Sequence, residues 1–307
     1  MGAASLHTPK RRDITDLQPL STIRLGTTAD WVAVTDDSVW IGSTGPNAVH
    51  QIDAATGQVV AAVDVPGKPC AGLATGFGSL WVPLCANTPA VAKIDLLKPQ
   101  LTGLFPVSLV TAEAGVTTGS GSVWLITDHA GTLTGLNPLT GSAHQTLRVP
   151  FGSYNPLFSE GLIWVTRVAG ATVAAVDPIT AAPVASIDTG PAPRFLAAGC
   201  EAIWTLNQGD GTLSRIDARS KLLTATTRLD TPGLGGDIAV GGGMVWTTVR
   251  GVPLSAVDAY SGELRCQWIG NGGDSVGVAH GSIWLINCRA GEVSRIDLET
   301  ALSQCSA

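Results

Sequence analysis

A short strand ending in tryptophan occurs seven times along this chain, most plainly as Gly121-Ser122-Val123-Trp124 and again as Gly281-Ser282-Ile283-Trp284. The copies end at Trp40, Trp81, Trp124, Trp164, Trp204, Trp246 and Trp284, giving steps of 41, 43, 40, 40, 42 and 38 residues. A repeat of 40 to 45 residues that reads as four short strands cannot bury its apolar faces alone and must stack on its neighbours. Seven such units predict an all-β fold, a seven-bladed β-propeller of four-stranded antiparallel blades.

Alternating apolar residues with glycine punctuation support strands throughout. In the first repeat the inner strand is read at 31–34, the second at 38–41, the third at 48–52 and the outer one at 58–65. Each third strand ends in Asp or Asn, at Asp53, Asp95, Asn137, Asp177, Asp217, Asp258 and Asp297, 12 to 14 residues after its Trp. These side chains read as turn formers, whose oxygen accepts a nearby backbone N–H, rather than as metal ligands. The seven Trp read as packing between blades rather than as a ligand platform.

A ring needs closure, because an open last blade would leave sheet edges exposed. The segment Ser21-Thr22-Ile23-Arg24-Leu25-Gly26 has outer-strand character yet precedes the first full repeat. It is expected to dock as the outer strand of the last blade, which makes 21–307 a single domain. Residues 1–20 carry no period and are expected to be a loosely ordered leader. The chain after Asp297 is expected to add at most a partial strand ending near Cys305.

Charged residues are 14% of the 307, Gly numbers 37 and the net charge is −6. Beyond Lys10-Arg11-Arg12 there is no basic cluster, so nucleic acid is an unfavourable partner. No apolar run reaches the roughly 18 residues of a membrane helix, and no membrane association is expected. The first residues lack an apolar signal core, and Met1-Gly2-Ala3-Ala4 reads as a start left after a signal peptide is removed. Six cysteines with no C-x-x-C pair point away from zinc and redox motifs and toward an oxidising compartment, secreted or periplasmic. Cys70 and Cys85 lie 11 before and four after Trp81, which makes them the best candidate disulfide; a pair of buried thiols is the alternative.

In a propeller, the loops entering the inner strands share one face with those that follow the Trp. Counting back 9 to 11 residues from each Trp gives this mouth: Asp30 and Trp31, Cys70, Glu113, Tyr154 and Asn155, Arg194, Asp237, and Asp274. The loops after the Trp add Asp128, His129, Arg167, Arg250, Cys288 and Arg289. Blade three is the richest. A carboxylate near a His or Tyr can move protons, and Arg can hold an anion. The candidate catalytic set is therefore Glu113, His129, Tyr154 and Asp128. The candidate substrate-binding set is Asp30, Trp31, Arg167, Arg194, Asp237, Arg250, Asp274 and Arg289.

With no His-x-His or His-x-x-x-His pair, a tightly bound transition metal is not expected. Asp30, Glu113, Asp237 and Asp274 could hold calcium or magnesium through oxygens and water. No organic cofactor is expected. Phosphate loops, nucleophile elbows and Ser/His/Asp triads are absent at meaningful spacing.

The repeat, with its inner strand, G-S-x-W strand, I-D-x-x-T-G turn and V-x-x-I outer strand, resembles the YVTN-type repeat propellers and the streptogramin B lyase-like propellers from about Ser21 onward. The resemblance implies the same ring. In the lyases it implies catalytic His and Glu residues from the mouth and post-Trp loops, with a magnesium ion. Here the third residue after each Trp is Ser43, Leu84, Thr127, Arg167, Asn207, Val249 or Asn287, so that activity and its residues are not carried over. Two readings follow. One is an enzyme without organic cofactor, of lyase, isomerase or hydrolase type, acting on a small polar or anionic molecule at the axial mouth. The other is a non-catalytic propeller that binds a small ligand or a protein partner. A monomer is expected in either case.

Overall fold

The computed structural model describes residues 10–233 and 235–306. Seven sheets succeed one another around an axis, and blade one has strands Thr28–Val34, Ser38–Thr44, Ala48–Asp53 and Val59–Asp64 in simple meander order. The other blades repeat this order, as the period requires. In blade two the innermost strand is broken into Lys68–Pro69 and Ala74–Gly76, both paired with Ser79–Cys85. The disulfide Cys70–Cys85, with Cα atoms 5.7 Å apart, ties the intervening loop to that strand.

All seven repeat tryptophans are fully buried, and each packs on the blade that follows it. Trp81 lies with Val123 and Leu136 of blade three, Trp164 with Ile203 and Ile216 of blade five, and Trp284 with Val39 and Ile52 of blade one. The residue opposite each indole on the third strand is chosen to suit it. Lys93, Arg215 and Arg295 place their cations 5.4 to 5.7 Å from the ring centres of Trp81, Trp204 and Trp284, a favourable cation–π arrangement. Opposite Trp124 stands Gly135, where a Cβ would meet the indole at 2.9 Å.

The seven Asp and Asn residues are turn formers, as expected. Asp53 accepts both the N–H and the hydroxyl of Thr56 at 2.7 Å. Asp95, Asn137, Asp177, Asp217 and Asp258 take equivalent N–H groups two or three residues on.

Closure is also as expected: Ser21–Arg24 pairs antiparallel with Glu292–Asp297 and completes blade seven. Both terminal expectations require correction. Of the expected loose leader, residues 1–9 lie outside the described residues, but Lys10–Asp13 pairs in parallel with Leu264–Ile269 as a fifth strand of blade six. Lys-Arg-Arg-Asp has no apolar alternation, so sequence pattern could not announce it; the order comes from backbone pairing with an open sheet edge. After Asp297 the chain forms an α-helix, Leu298–Ser306, and not a strand. The turn chemistry of the other blades here serves as an N-cap, with Asp297 accepting the Thr300 N–H at 2.8 Å. The outer-strand place is already filled by Ser21–Arg24, leaving the helix free to pack elsewhere.

Helix and leader clasp each other on the back of blade six. Leu17 and Ala301 are buried with Trp246 and Trp268. Gln304 accepts from Trp268 Nε1 at 3.0 Å and donates to the Asp16 carbonyl at 3.0 Å, while its own carbonyl accepts from Arg12. The disulfide Cys266–Cys305, with Cα atoms 5.3 Å apart, makes the clasp covalent. Among the described residues, Cys200 and Cys288 remain free, and no helix is long and apolar enough to cross a membrane.

Cross-linking residues 39 apart stabilises by up to ~4 kcal/mol in the loop-closure picture. The Cys266→Ser/Cys305→Ser protein is expected to melt several degrees lower by calorimetry, and limited proteolysis should remove its C-terminal segment first. An unchanged melting temperature would show that the non-covalent clasp suffices.

Candidate functional site

Nine residues before each Trp lies the residue at which its blade reaches the axis: Trp31, Gly72, Gly115, Asn155, Phe195, Asp237 and Ser275. Six of them line a central cavity of about 440 Å³, from which only Ser275 is missing. The two aromatics meet across the lumen from blades one and five, their ring centres 6.2 Å apart. Both are buried. Trp31 takes a positive φ of 61° in the bulge that turns its indole inward. Gly72 and Gly115 lie against each other, since a Cβ on Gly115 would meet the Gly72 Cα at 3.2 Å. The Trp31–Phe195 pair therefore plugs the mouth end of the channel. Trp31 is part of this plug rather than an open platform for ligand.

Above the plug the polar groups engage one another across blades. Arg194 makes an ion pair with Glu113, and its guanidinium lies 5.6 Å from the ring centre of Tyr154 and 5.9 Å from that of Phe195. Glu113 adopts φ 91°, a costly conformation for a side-chain-bearing residue. Asn155 bridges blades three to five: its Oδ1 accepts the Gly115 N–H at 3.0 Å and its Nδ2 donates to the Arg194 carbonyl at 2.7 Å. His129 is exposed and meets Tyr154 edge-on at 6.2 Å. Asp128 accepts the Thr132 N–H at 3.0 Å, and the Thr132 contacts hold its carboxyl below the usual carboxylate range. Arg167 donates to the Phe151 carbonyl at 3.0 Å.

The candidate catalytic set is thus only partly assembled. Glu113 and Tyr154 share Arg194, His129 touches Tyr154 from outside, and Asp128 forms a turn.

Asp30 and Asp237 hold the seams between blades six, seven and one, and Asp274 braces blade seven internally. Asp30 accepts the Ser275 hydroxyl and the N–H of Trp31. Asp237 accepts the N–H groups of Ile238 at 2.8 Å and Val276 at 3.4 Å. Asp274 accepts the Cys288 N–H at 2.8 Å. Burial against the channel pushes the Asp237 carboxyl up to about 7, opposed by the Ile238 N–H and reinforced by the nearby Asp30 charge. Burial raises Asp30 as well, and it pushes the Cys288 thiol up to about 11. Among the described residues no three His, Cys, Asp or Glu side chains form a metal-holding group.

Arg250, Asp274 and Arg289 lie apart from the axis. They line a cavity of about 490 Å³ between blades six and seven, together with Asn271, Asn287 and a run of glycines. A smaller space of about 160 Å³ lies against Asp30, Glu113, Lys68 and Cys288. Asn287 lies in the post-Trp loops already read as part of the mouth face, whereas Phe195 and Asn271 were not among the residues expected from sequence. Phe195 could have been found, because it occupies the same repeat position as Trp31.

A carboxyl raised on folding favours the protonated folded state. As pH rises from about 4 toward 7 the unfolded chain ionises first, so this group removes stability over that window and nothing further above it. Asp237→Asn is therefore expected to gain stability over wild type as pH rises from 4 to 7, with the gap constant from about pH 8. Melting curves of both proteins across that range test this; parallel curves would show that Asp237 ionises normally.

No family model and no curated protein matches this chain. Among solved structures, it is similar to BamB from Moraxella catarrhalis, with TM-score 0.63 and 13% identity over 92% of this chain and 99% of that one. It is similar also to a streptogramin B lyase structure, with TM-score 0.71 and 15% identity over 90% of this chain and 96% of that one. At such identities the likeness concerns the general propeller architecture, and the seven sheets of this chain make it a seven-bladed β-propeller.

Proposed function

We propose that this chain is a non-catalytic binding propeller, secreted or periplasmic, which holds a small anionic ligand on its mouth face without turning it over. The observation that carries this reading is that the candidate acid–base groups are engaged with other groups of the protein instead of facing a common cavity. Glu113 pairs with Arg194, Asp128 closes a turn, and the channel beneath is plugged by Trp31 and Phe195. Catalysis by proton transfer needs an acid or base within hydrogen-bond reach of a bound substrate. The disulfides Cys70–Cys85 and Cys266–Cys305 suit an oxidising compartment.

One observation favours the enzyme reading. Asp237 lines the channel with its carboxyl raised to about 7, and such perturbed groups cluster at active sites. Against it, both carboxylate oxygens already accept backbone N–H groups, and the mouth end of the channel is closed above them.

The test is proton NMR of the protein with small carboxylates, lactones and sugar acids. Saturable line broadening of one class, with no new product signals over a day, is the expected result. Product formation that Glu113→Gln or Asp237→Asn abolishes would establish the enzyme instead.

A further inference from the structure

The cavity between blades six and seven has the makings of a built ligand site. Its volume of about 490 Å³ falls within the 300–1,000 Å³ typical of small-molecule pockets. Its walls are largely bare backbone. Gly235, Gly236, Gly251, Gly270, Gly272 and Gly273 all have positive φ, so side chains are disfavoured there by conformation alone. At Gly236 a Cβ would meet the Thr248 carbonyl oxygen at 1.8 Å, and at Gly273 it would meet the Pro253 Cα at 2.5 Å. Close backbone packing therefore fixes the shape of the space, and few side chains are left to give it chemical character.

Those side chains are two arginines, two asparagines and one aspartate. Arg250 and Arg289 are exposed, and among the described residues neither makes a hydrogen bond or an ion pair. Arg194 and Arg265 pair with carboxylates, and Arg12, Arg167 and Arg295 donate to carbonyls. Asp274 uses Oδ2 to accept the Cys288 N–H, and its Oδ1 makes no hydrogen bond among the described residues. Asn287 lies against Gly272, where a Cβ would come 3.2 Å from its Nδ2. Asn271 has no side-chain partner among the described residues.

Two guanidinium cations against one carboxylate leave the pocket with one net positive charge, inside a chain of net charge −6. A planar guanidinium fork suits a carboxylate. The free Asp274 oxygen accepts from a hydroxyl and repels a dianion such as phosphate, while the two amides serve hydroxyl groups in either direction.

We propose that this pocket, built on Arg250, Arg289, Asp274, Asn271 and Asn287, binds a small hydroxylated monocarboxylate of the sugar-acid class. The carboxylate lies between the two arginines and the hydroxyls face Asp274 and the asparagines. This deepens the binding reading above and rests on it.

The test is isothermal titration calorimetry, with NMR in parallel, of the full chain with glucuronate, galacturonate and gluconate; glucose and inorganic phosphate serve as controls. At least one sugar acid is expected to bind saturably below about 10 mM, at least about tenfold tighter than glucose or phosphate. Both arginines are exposed and, among the described residues, unpaired, so Arg250→Gln and Arg289→Gln should fold normally; each should weaken binding about tenfold or more. The proposal is overturned if no sugar acid saturates, or if the double Arg250→Gln/Arg289→Gln protein retains wild-type affinity. In the second case the binding reading stands and only its location fails. If the bound acid is chemically altered during the titration, the reading without turnover fails and the pocket stands.

Discussion

The ring depends on one contact repeated seven times, an indole in the middle of a second strand buried against the next blade. At about 25 cal/mol per Å² and on the order of 200 Å² per indole, each contact contributes up to ~5 kcal/mol, an upper bound because the unfolded chain already buries some of that surface. Each tryptophan belongs to one blade by sequence and to the next by packing. No blade can bury its indole alone, and this is what makes the ring cooperative. The residue opposite the indole then adjusts, as a cation on three rings and as Gly135 where the ring of Trp124 needs the space.

A chain of such contacts must close, and here closure is made from both termini. Ser21–Arg24 fills the outer place in blade seven, which frees the segment after Asp297 from becoming a strand. The helix that forms instead packs on Trp268 and joins blade six through Cys305. Lys10–Asp13 then covers the edge of the same blade. Covering an open edge prevents it from recruiting another chain.

Whatever repeats in this molecule could be read from the sequence: the Trp period, the Asp turns and the closing strand. Each is a local pattern in fixed register, so a single strand plan explains all copies. What could not be read breaks the repeat. Arg194 and Glu113 are 81 residues apart and pair over the mouth only because the ring brings blades three and five together on either side of blade four. Lys10–Asp13 is ordered by an edge that strand patterning does not show. Asp128 sat among plausible catalytic groups, yet its own loop binds it first. Phe195 lies between these cases, because its repeat position matched that of Trp31 while its contact required the ring.

The same division locates the chemistry. Seven equal blades would converge on the axis with seven equal residues, and the actual set, two aromatics, two glycines, an asparagine, an aspartate and a serine, fills the centre by complementary size. Once the large residues have closed the lumen, polar side chains at that level find their partners inside the protein. An unpaired charge must then sit away from the axis, where two blades part at the rim and glycine backbone takes the place of packed side chains. Arg250 and Arg289 occupy such a place. The carboxylates of the axis bind neighbouring N–H groups and hydroxyls and so stabilise the ring, whereas the guanidinium groups of the seam between blades six and seven leave their hydrogen-bonding capacity unused among the described residues.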